Sequence, residues 1–216
     1  MYVILNAAMS VDGKITTRNN DSSISSEEDL VRVHKLRSAV DGIVIGISTV
    51  LEDDPMLNVR HFTKTTKNPT RIIIDSKARI PLDSKIIKSA KKIQTIIAVT
   101  QNASRKKINA IEGRGGKVLV FGIGRVNIRK LFQQLERLGL EKILVEGGGE
   151  INWSVLKLGL VNELIVTISP VIIGGRDAKT LVEGRGIANI SDAVTMKLIN
   201  SIVQNKNELV LDYKLR

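Results

Sequence analysis

The stretch Lys142–Trp153, KILVEGGGEINW, decides how the rest of the chain is read. An apolar run, Ile143-Leu144-Val145, ends in Glu146; three glycines follow, and Glu150 opens a segment able to continue as a helix. Residues 142–146 read as a strand, 150–158 as a helix and 163–169 as a second apolar strand, which together make a βαβ unit. Such a crossover carries the chain between parallel strands and sets an α/β fold. Glycine loses more backbone freedom on ordering than any other residue. Three in a row therefore imply either a turn with dihedrals other residues avoid or a backbone that something must approach closely. The pattern alone leaves both readings open.

Outward from this unit the same alternation continues. Residues 3–8 form an apolar strand followed by the turn signal Asp12-Gly13. In SISSEEDLVRVHKLRSAV (23–40), Ser25 and Glu28 form a possible capping box, and Leu30, Val33, Leu36 and Val40 recur at helical spacing. GIVIGIS (42–48) reads as a buried strand, and STVLEDDP (48–55) as one helical turn stopped before Pro55. RIIIDS, QTIIAVT and KVLVFG supply further strands, with a helix predicted over 103–112. Ile128, Leu131, Phe132, Leu135 and Leu138 mark a helical face closed by Gly139. The end of the chain differs: AVTMKLINSIVQ and the alternating ELVLDYKLR flank Asn205-Lys206-Asn207 and predict a hairpin. The expectation is a single α/β domain over 1–216. Its mixed, mostly parallel sheet is flanked by helices and finished by a C-terminal antiparallel hairpin.

Composition narrows the function. The chain is 43% hydrophobic and 25% charged, ordinary for a globular protein. One Trp, two Tyr and three Phe leave an aliphatic core, and they offer little for stacking nucleic-acid bases. The absence of Cys excludes disulfides, a catalytic thiol and the His/Cys/Cys zinc centre of a nucleobase deaminase. With only His34 and His61, no metal site is expected. The first ten residues lack a basic leader and a spanning length, so a cytoplasmic, non-membrane location is expected. The formal charge of +11 suits phosphorylated small molecules or nucleic acid as partners.

The dinucleotide fingerprint fails when started at Gly147, Gly122 or Gly184. Its last glycine would fall at 152, 127 or 189, where the chain carries Asn152, Asn127 and Asn189. The physical basis of anion binding survives nonetheless, because glycines leading into a helix N-terminus expose N–H donors at its positive end. Five blocks occur in order: AAMSVDGKI (7–15), LVRVHKLRSAVDGIVIGISTVLEDDPMLNVR (30–60), RIIIDSKARIP (71–81), ILVEGGGEINW (143–153) and GLVNELIVTISPVIIGG (159–175). Together they resemble the pyrimidine reductase family of riboflavin biosynthesis, over almost the whole chain. The resemblance implies a dihydrofolate-reductase-like fold and the stand-alone archaeal or fungal type. It also implies NADPH-dependent reduction of 2,5-diamino-6-ribosylamino-4(3H)-pyrimidinone 5′-phosphate to its ribitylamino product, with hydride delivered to C1′.

Carried over residue by residue, the resemblance makes Gly147, Gly148, Gly149 and Glu150 the turn that takes the NADPH pyrophosphate. Thr49 and Asp53 are cofactor contacts, with Asp53 near the reacting nicotinamide and substrate; Ala7 and Ser76 are further ones. Arg37 and Arg60 hold the substrate phosphate, a sensible use of two guanidinium forks, with Leu57 in the same wall. Glu146 is a substrate-contacting carboxylate and, with Asp53, a catalytic candidate. Asp21–Ser23 matches a substrate and cofactor region, though without the Trp found there in bacteria. Asn6 stands where bacterial relatives often carry Lys, and His34 is read as structural. The resemblance also implies a homodimer, with no nucleic-acid partner. Alternatives are another NADPH reductase of the same fold and, in a different class, a basic nucleic-acid-binding protein.

Overall fold

A computed structural model describes residues 1–60, 68–204 and 207–215. In chain order the elements are β1 (Tyr2–Ser10), α1 (Glu27–Ser38), β2 (Gly42–Gly46), α2 (Ile47–Asp53), β3 (Thr70–Ile74), α3 (Lys85–Lys88), β4 (Thr95–Val99), α4 (Arg105–Glu112) and β5 (Lys117–Val120). There follow α5 (Ile128–Arg137), β6 (Lys142–Val145), α6 (Gly149–Lys157), β7 (Glu163–Ser169), a 3₁₀ turn (Ile190–Asp192), β8 (Met196–Gln204) and β9 (Glu208–Leu215). The chain divides into two compact units, one of Met1 with His34–Leu144 and one of Tyr2–Val33 with Val145–Arg216.

In the first unit, β2, β3 and β4 pair in parallel with one another and β4 with β5. The order is β5-β4-β3-β2, with β6 beside β2. Every residue of β2, β3 and β4 is buried, as expected of parallel strands covered on both faces. That is why these segments read as unbroken runs of Ile and Val rather than alternating ones. On α5 the expected face is buried at Ile128, Leu131, Phe132 and Leu135, while Leu138 is half-exposed beyond the last turn. Gly139 takes the left-handed conformation that stops the helix.

In the second unit, β1 and β7 are parallel. β9 pairs antiparallel with β7 and with β8, which is the predicted hairpin; Asn205 and Lys206 lie outside the described residues. The predicted fold class is the observed one. Two local expectations need correction. The N-cap of α1 is Ser26, one residue later than read, and its hydroxyl accepts from Asp29 N. Nor does α1 bury the predicted apolar stripe: Leu30 is 46% exposed, whereas Asp29 and His34 are buried. Asp29 is tolerable there because Arg32 and the Thr167 hydroxyl both donate to its Oδ1.

Candidate active site

In the first unit β2 runs into α2 with no intervening loop, and Gly46 is the N-cap. Thr49 and Asp53, four residues apart, lie on one face of α2. Asp54 ends the helix in a left-handed conformation, φ 38°. Its Oδ1 accepts from the backbone N–H of Lys85 at 2.9 Å. The adjacent acids thus differ: Asp54 joins α2 to the start of α3, and Asp53 is the exposed one.

The loop 55–60 is held at successive points. The Met56 carbonyl accepts from Arg71 Nη1 at 3.2 Å, and Leu57 is buried with φ 45°. The Asn58 carbonyl accepts from Arg37 Nη1 at 3.4 Å, and Val59 N donates to Asn68 Oδ1. Arg60 N donates to His34 Nδ1 at 3.1 Å. The end of α1 therefore carries both the predicted Arg37 and the histidine that fixes the backbone of Arg60. Arg37 and the backbone of Arg60 thus both meet the end of α1, with Leu57 on the same loop.

Ser76 follows β3 and belongs to another set of bonds. Its hydroxyl accepts from Val126 N, and its carbonyl accepts from the Thr100 amide and hydroxyl. It ties the carboxyl ends of β3 and β4 to the segment after β5, the end of a parallel sheet where α/β folds place ligands.

In the second unit Glu146 is the first residue beyond β6, and Ala7 lies in β1 opposite Val166 of β7. Gly147 has φ +102°, and the peptide joining it to Gly148 is cis. Gly148 is the N-cap of α6 in an extended conformation and, as a glycine, supplies no side-chain cap. Glu150 is exposed in the first turn of α6, where a carboxylate complements the helix dipole. The segment 178–184 runs across this turn. Lys14 and Thr180 form a bridge, Asn152 Nδ2 donates to the Leu181 carbonyl, and Glu183 N donates to the Gly149 carbonyl. A Cβ on Gly149 would stand 2.7 Å from the Thr180 carbonyl oxygen and 2.6 Å from Glu183 Cγ. Sequence reasoning missed this strap; the cue was Gly184, whose missing side chain makes room for the Trp153 ring.

Asp21 accepts from Ser23 N at 2.9 Å, and this bond, with the Ser23 hydroxyl, holds its carboxyl below the usual carboxylate range. Asn6 is buried, and its Oδ1 accepts from Arg32 Nη2 at 2.9 Å, beside Thr167 and Asp29. Asp12 is drawn down to about 2, first by the Ser10 hydroxyl and then by the amides of Ile173 and Gly174.

The parallel β/α order finished by an antiparallel hairpin defines the dihydrofolate-reductase-like class. Enterococcus faecalis dihydrofolate reductase superposes on it with TM-score 0.57 at 12% identity, over 100% of this chain and 96% of that one. More narrowly, the chain belongs to the RibD C-terminal domain family, which it matches over residues 1–210. It is 42% identical to the 2,5-diamino-6-ribosylamino-4(3H)-pyrimidinone 5′-phosphate reductase of Methanothermobacter thermautotrophicus, over 100% of this chain and 98% of that protein. Among solved structures, Acinetobacter baumannii RibD matches with TM-score 0.86 and 24% identity; this chain spans 58% of its length. The Saccharomyces cerevisiae riboflavin biosynthesis reductase Rib7 matches with TM-score 0.75 and 27% identity, over all of this chain and 90% of that one.

Proposed function

We propose that this protein uses NADPH to reduce 2,5-diamino-6-ribosylamino-4(3H)-pyrimidinone 5′-phosphate to its ribitylamino product, acting as a single reductase domain. The observation that carries this is end-to-end similarity, at 42% identity, to a protein named for that reaction. The residues fit the cofactor: a helix N-terminus whose N-cap is a glycine, opened by further glycines, is suited to a pyrophosphate. Gly147–Gly149 and the N–H of Glu150 would hold it, with Thr49, Asp53, Ala7 and Ser76 as further contacts. The Glu150 carboxylate repels an anion, so its backbone is the contributing part. When bound, NADPH supplies the hydride that C1′ accepts.

The remaining work falls to side chains. Opening the ribose ring leaves a C1′=N bond and a protonated ring oxygen; after reduction the nitrogen carries a proton and C1′ a new C–H. Asp53 and Glu146 are the carboxylates assigned to hold the substrate and move those protons. Arg37, Leu57 and Arg60 form the wall assigned to the 5′-phosphate and its ribose.

A homodimer is the proposed assembly. β8 is an edge strand with Met196, Leu198, Ile199, Ile202 and Val203 all exposed, an apolar edge suited to a second copy. A cytoplasmic location is proposed with it; among the described residues no helix is long and apolar enough to cross a membrane. The deciding experiment is NADPH oxidation by purified protein with and without the ribosylaminopyrimidinone phosphate, repeated with NADH and with dihydrofolate. Oxidation only with dihydrofolate transfers the assignment to another reductase of this fold. Salt-dependent RNA or DNA binding without oxidation favours the nucleic-acid reading.

A further inference from the structure

Arg71 is the largest fully buried side chain among the described residues, set in β3 opposite Thr95 of β4. Among the described residues no carboxylate pairs with it. Its donors are taken by neutral oxygens instead: Nε and Nη2 on Thr95 Oγ1, Nη2 also on the carbonyls of Ile86 and Ile93, and Nη1 on Ser89 Oγ and the Met56 carbonyl. Burial alone pushes the guanidinium down to about 10, so it stays cationic at neutral pH.

A buried cation without a counter-ion is an expensive way to fill a core, and an apolar side chain of similar volume is often neutral or better for stability. What the cation provides is direction. Its acceptors come from four segments that share no regular structure: the loop at Met56, α3 with Ser89, the turn at Ile93, and β4. The residue after Met56 is Leu57, a buried left-handed leucine. Such a conformation persists only where its surroundings over-determine it. The Arg71 bond to the Met56 carbonyl fixes the peptide plane entering that residue, and the Asp54–Lys85 bond anchors the same loop two residues earlier.

We propose that Arg71 is a positioning residue for the substrate wall: by holding the Met56 carbonyl it sets the left-handed turn at Leu57 and the path of the chain to Arg60. It touches neither ligand. The inference rests on the reading that 57–60 receive the phosphorylated pyrimidine.

The test compares wild type with Arg71→Lys and Arg71→Ala, the latter with and without millimolar guanidinium chloride. The readouts are KM for the pyrimidine phosphate, kcat, NADPH affinity by fluorescence, and amide exchange over 57–60. Arg71→Ala should raise KM by about tenfold or more, the size expected for one lost charge-assisted bond. NADPH affinity should hold, exchange over 57–60 should rise, and guanidinium should reverse both changes in part. Arg71→Lys should fall between, since an ammonium cannot reach all the acceptors. If Arg71→Ala does not fold, Thr95→Val, which removes the acceptor shared by Nε and Nη2, should give a smaller change of the same kind. A lowered melting temperature with unchanged KM and unchanged exchange over 57–60 overturns the proposal. Wild type that does not turn over the substrate sinks the functional reading instead, and the exchange measurement then decides on Arg71 alone.

Discussion

The backbone N–H of Arg60 donates to Nδ1 of His34 at 3.1 Å, and His34 is 4% exposed. The imidazole must therefore be in the tautomer with Nδ1 unprotonated, and it fixes the chain at Arg60, the arginine proposed to read the phosphate. His34→Leu leaves that N–H without its acceptor, a loss of about 1–3 kcal/mol when the group is buried. The expected result is a raised KM for the pyrimidine phosphate with NADPH affinity retained. His34→Asn keeps an acceptor on the side chain and should recover part of the loss. Equal KM values for the two variants would show that the hydrogen bond to Arg60 does not matter.

Arg60 and Arg37 are expected to behave differently, because Arg37 also donates to the Asn58 carbonyl. The phosphate is remote from C1′, so its contacts are similar before and during hydride transfer, and losing one should act on KM more than on kcat. Arg60→Ala should cost roughly 10- to 150-fold in kcat/KM, from a lost charge-assisted partner of about 1.5–3 kcal/mol. Arg60→Lys should restore part of it. A dephosphorylated substrate should be nearly indifferent to Arg60→Ala; a mutant that still discriminates the two substrates as wild type does removes Arg60 from the phosphate site. Arg37→Ala should in addition loosen the 55–60 loop, seen as faster amide exchange there.

The two acids at the end of α2 make an internal control. Asp53→Asn should cut kcat by about 10²–10⁴-fold if the carboxylate moves a proton or positions the reacting groups. Asp54→Asn retains an Oδ1 for the Lys85 N–H, so activity and stability should change little. Asp54→Ala should lower the melting temperature instead, because it frees that N–H and the left-handed cap. Comparable losses of kcat in both Asn variants would put the functional carboxylate outside this pair.

Most of the fold was legible because its signals are local. Parallel strands buried on both faces leave unbroken aliphatic runs, and a helix face such as Ile128-Leu131-Phe132-Leu135 repeats at a fixed spacing. The α1 stripe misled because burial there follows long-range polar pairing, Asp29 with Thr167 far along the chain, and periodicity cannot register that. The candidate site was assigned only through the resemblance. Nothing in RIIID marks Arg71 as buried, since a lone arginine at a strand start reads as a solvated end. Asp53 and Asp54 look equivalent in sequence; they separate once α3 folds back and presents an amide to Asp54. The strap 178–184 had no signal beyond Gly184, which in sequence offered only a failed start of the dinucleotide fingerprint.

Acid should first weaken the second unit at Glu208. Burial alone would raise this carboxyl, but hydrogen bonds from the Gln204 side chain and from the Ser26 hydroxyl and N–H hold it below its ordinary 4.5. A carboxyl depressed in the fold adds stability that is complete above its ordinary value and is lost as pH falls through the folded value. Melting temperature should therefore decline on acidification below about pH 4.5, and Glu208→Gln should flatten that decline while lowering the neutral-pH value. Asp212 carries the opposite sign: burial, then the Glu163 charge, raise it, and its Oδ1 lacks a hydrogen bond among the described residues. Asp212→Asn should raise the melting temperature at neutral pH, and thermal scans across this range check both.

Gly147, Gly148 and Gly149 answer to different constraints, and mutating them one at a time should show it. Gly147 needs its missing side chain for its dihedral: at φ +102° an alanine is strained by about 1–3 kcal/mol, although no neighbour lies nearer to its Cβ position than the Asn152 amide at 3.8 Å. Gly149 needs it for space, because a Cβ would collide with the backbone oxygen of Thr180 and force the strap away from α6. Gly147→Ala and Gly149→Ala should both lower the melting temperature, and any loss of cofactor affinity there is confounded with that damage. Gly148 is the discriminating position. Its φ of −73° and ψ of −169° form an extended conformation open to any residue, so its own dihedrals do not require glycine. If the turn receives a pyrophosphate, the reason for glycine at 148 is the close approach of an anion to the first N–H groups of α6. Gly148→Ala and Gly148→Val should then weaken NADPH progressively, in the order of side-chain size, with little change in melting temperature. Fluorescence titration of NADPH beside a thermal scan reads both quantities. Unchanged NADPH affinity in a well-folded Gly148→Val variant would falsify the assignment of this turn to the cofactor.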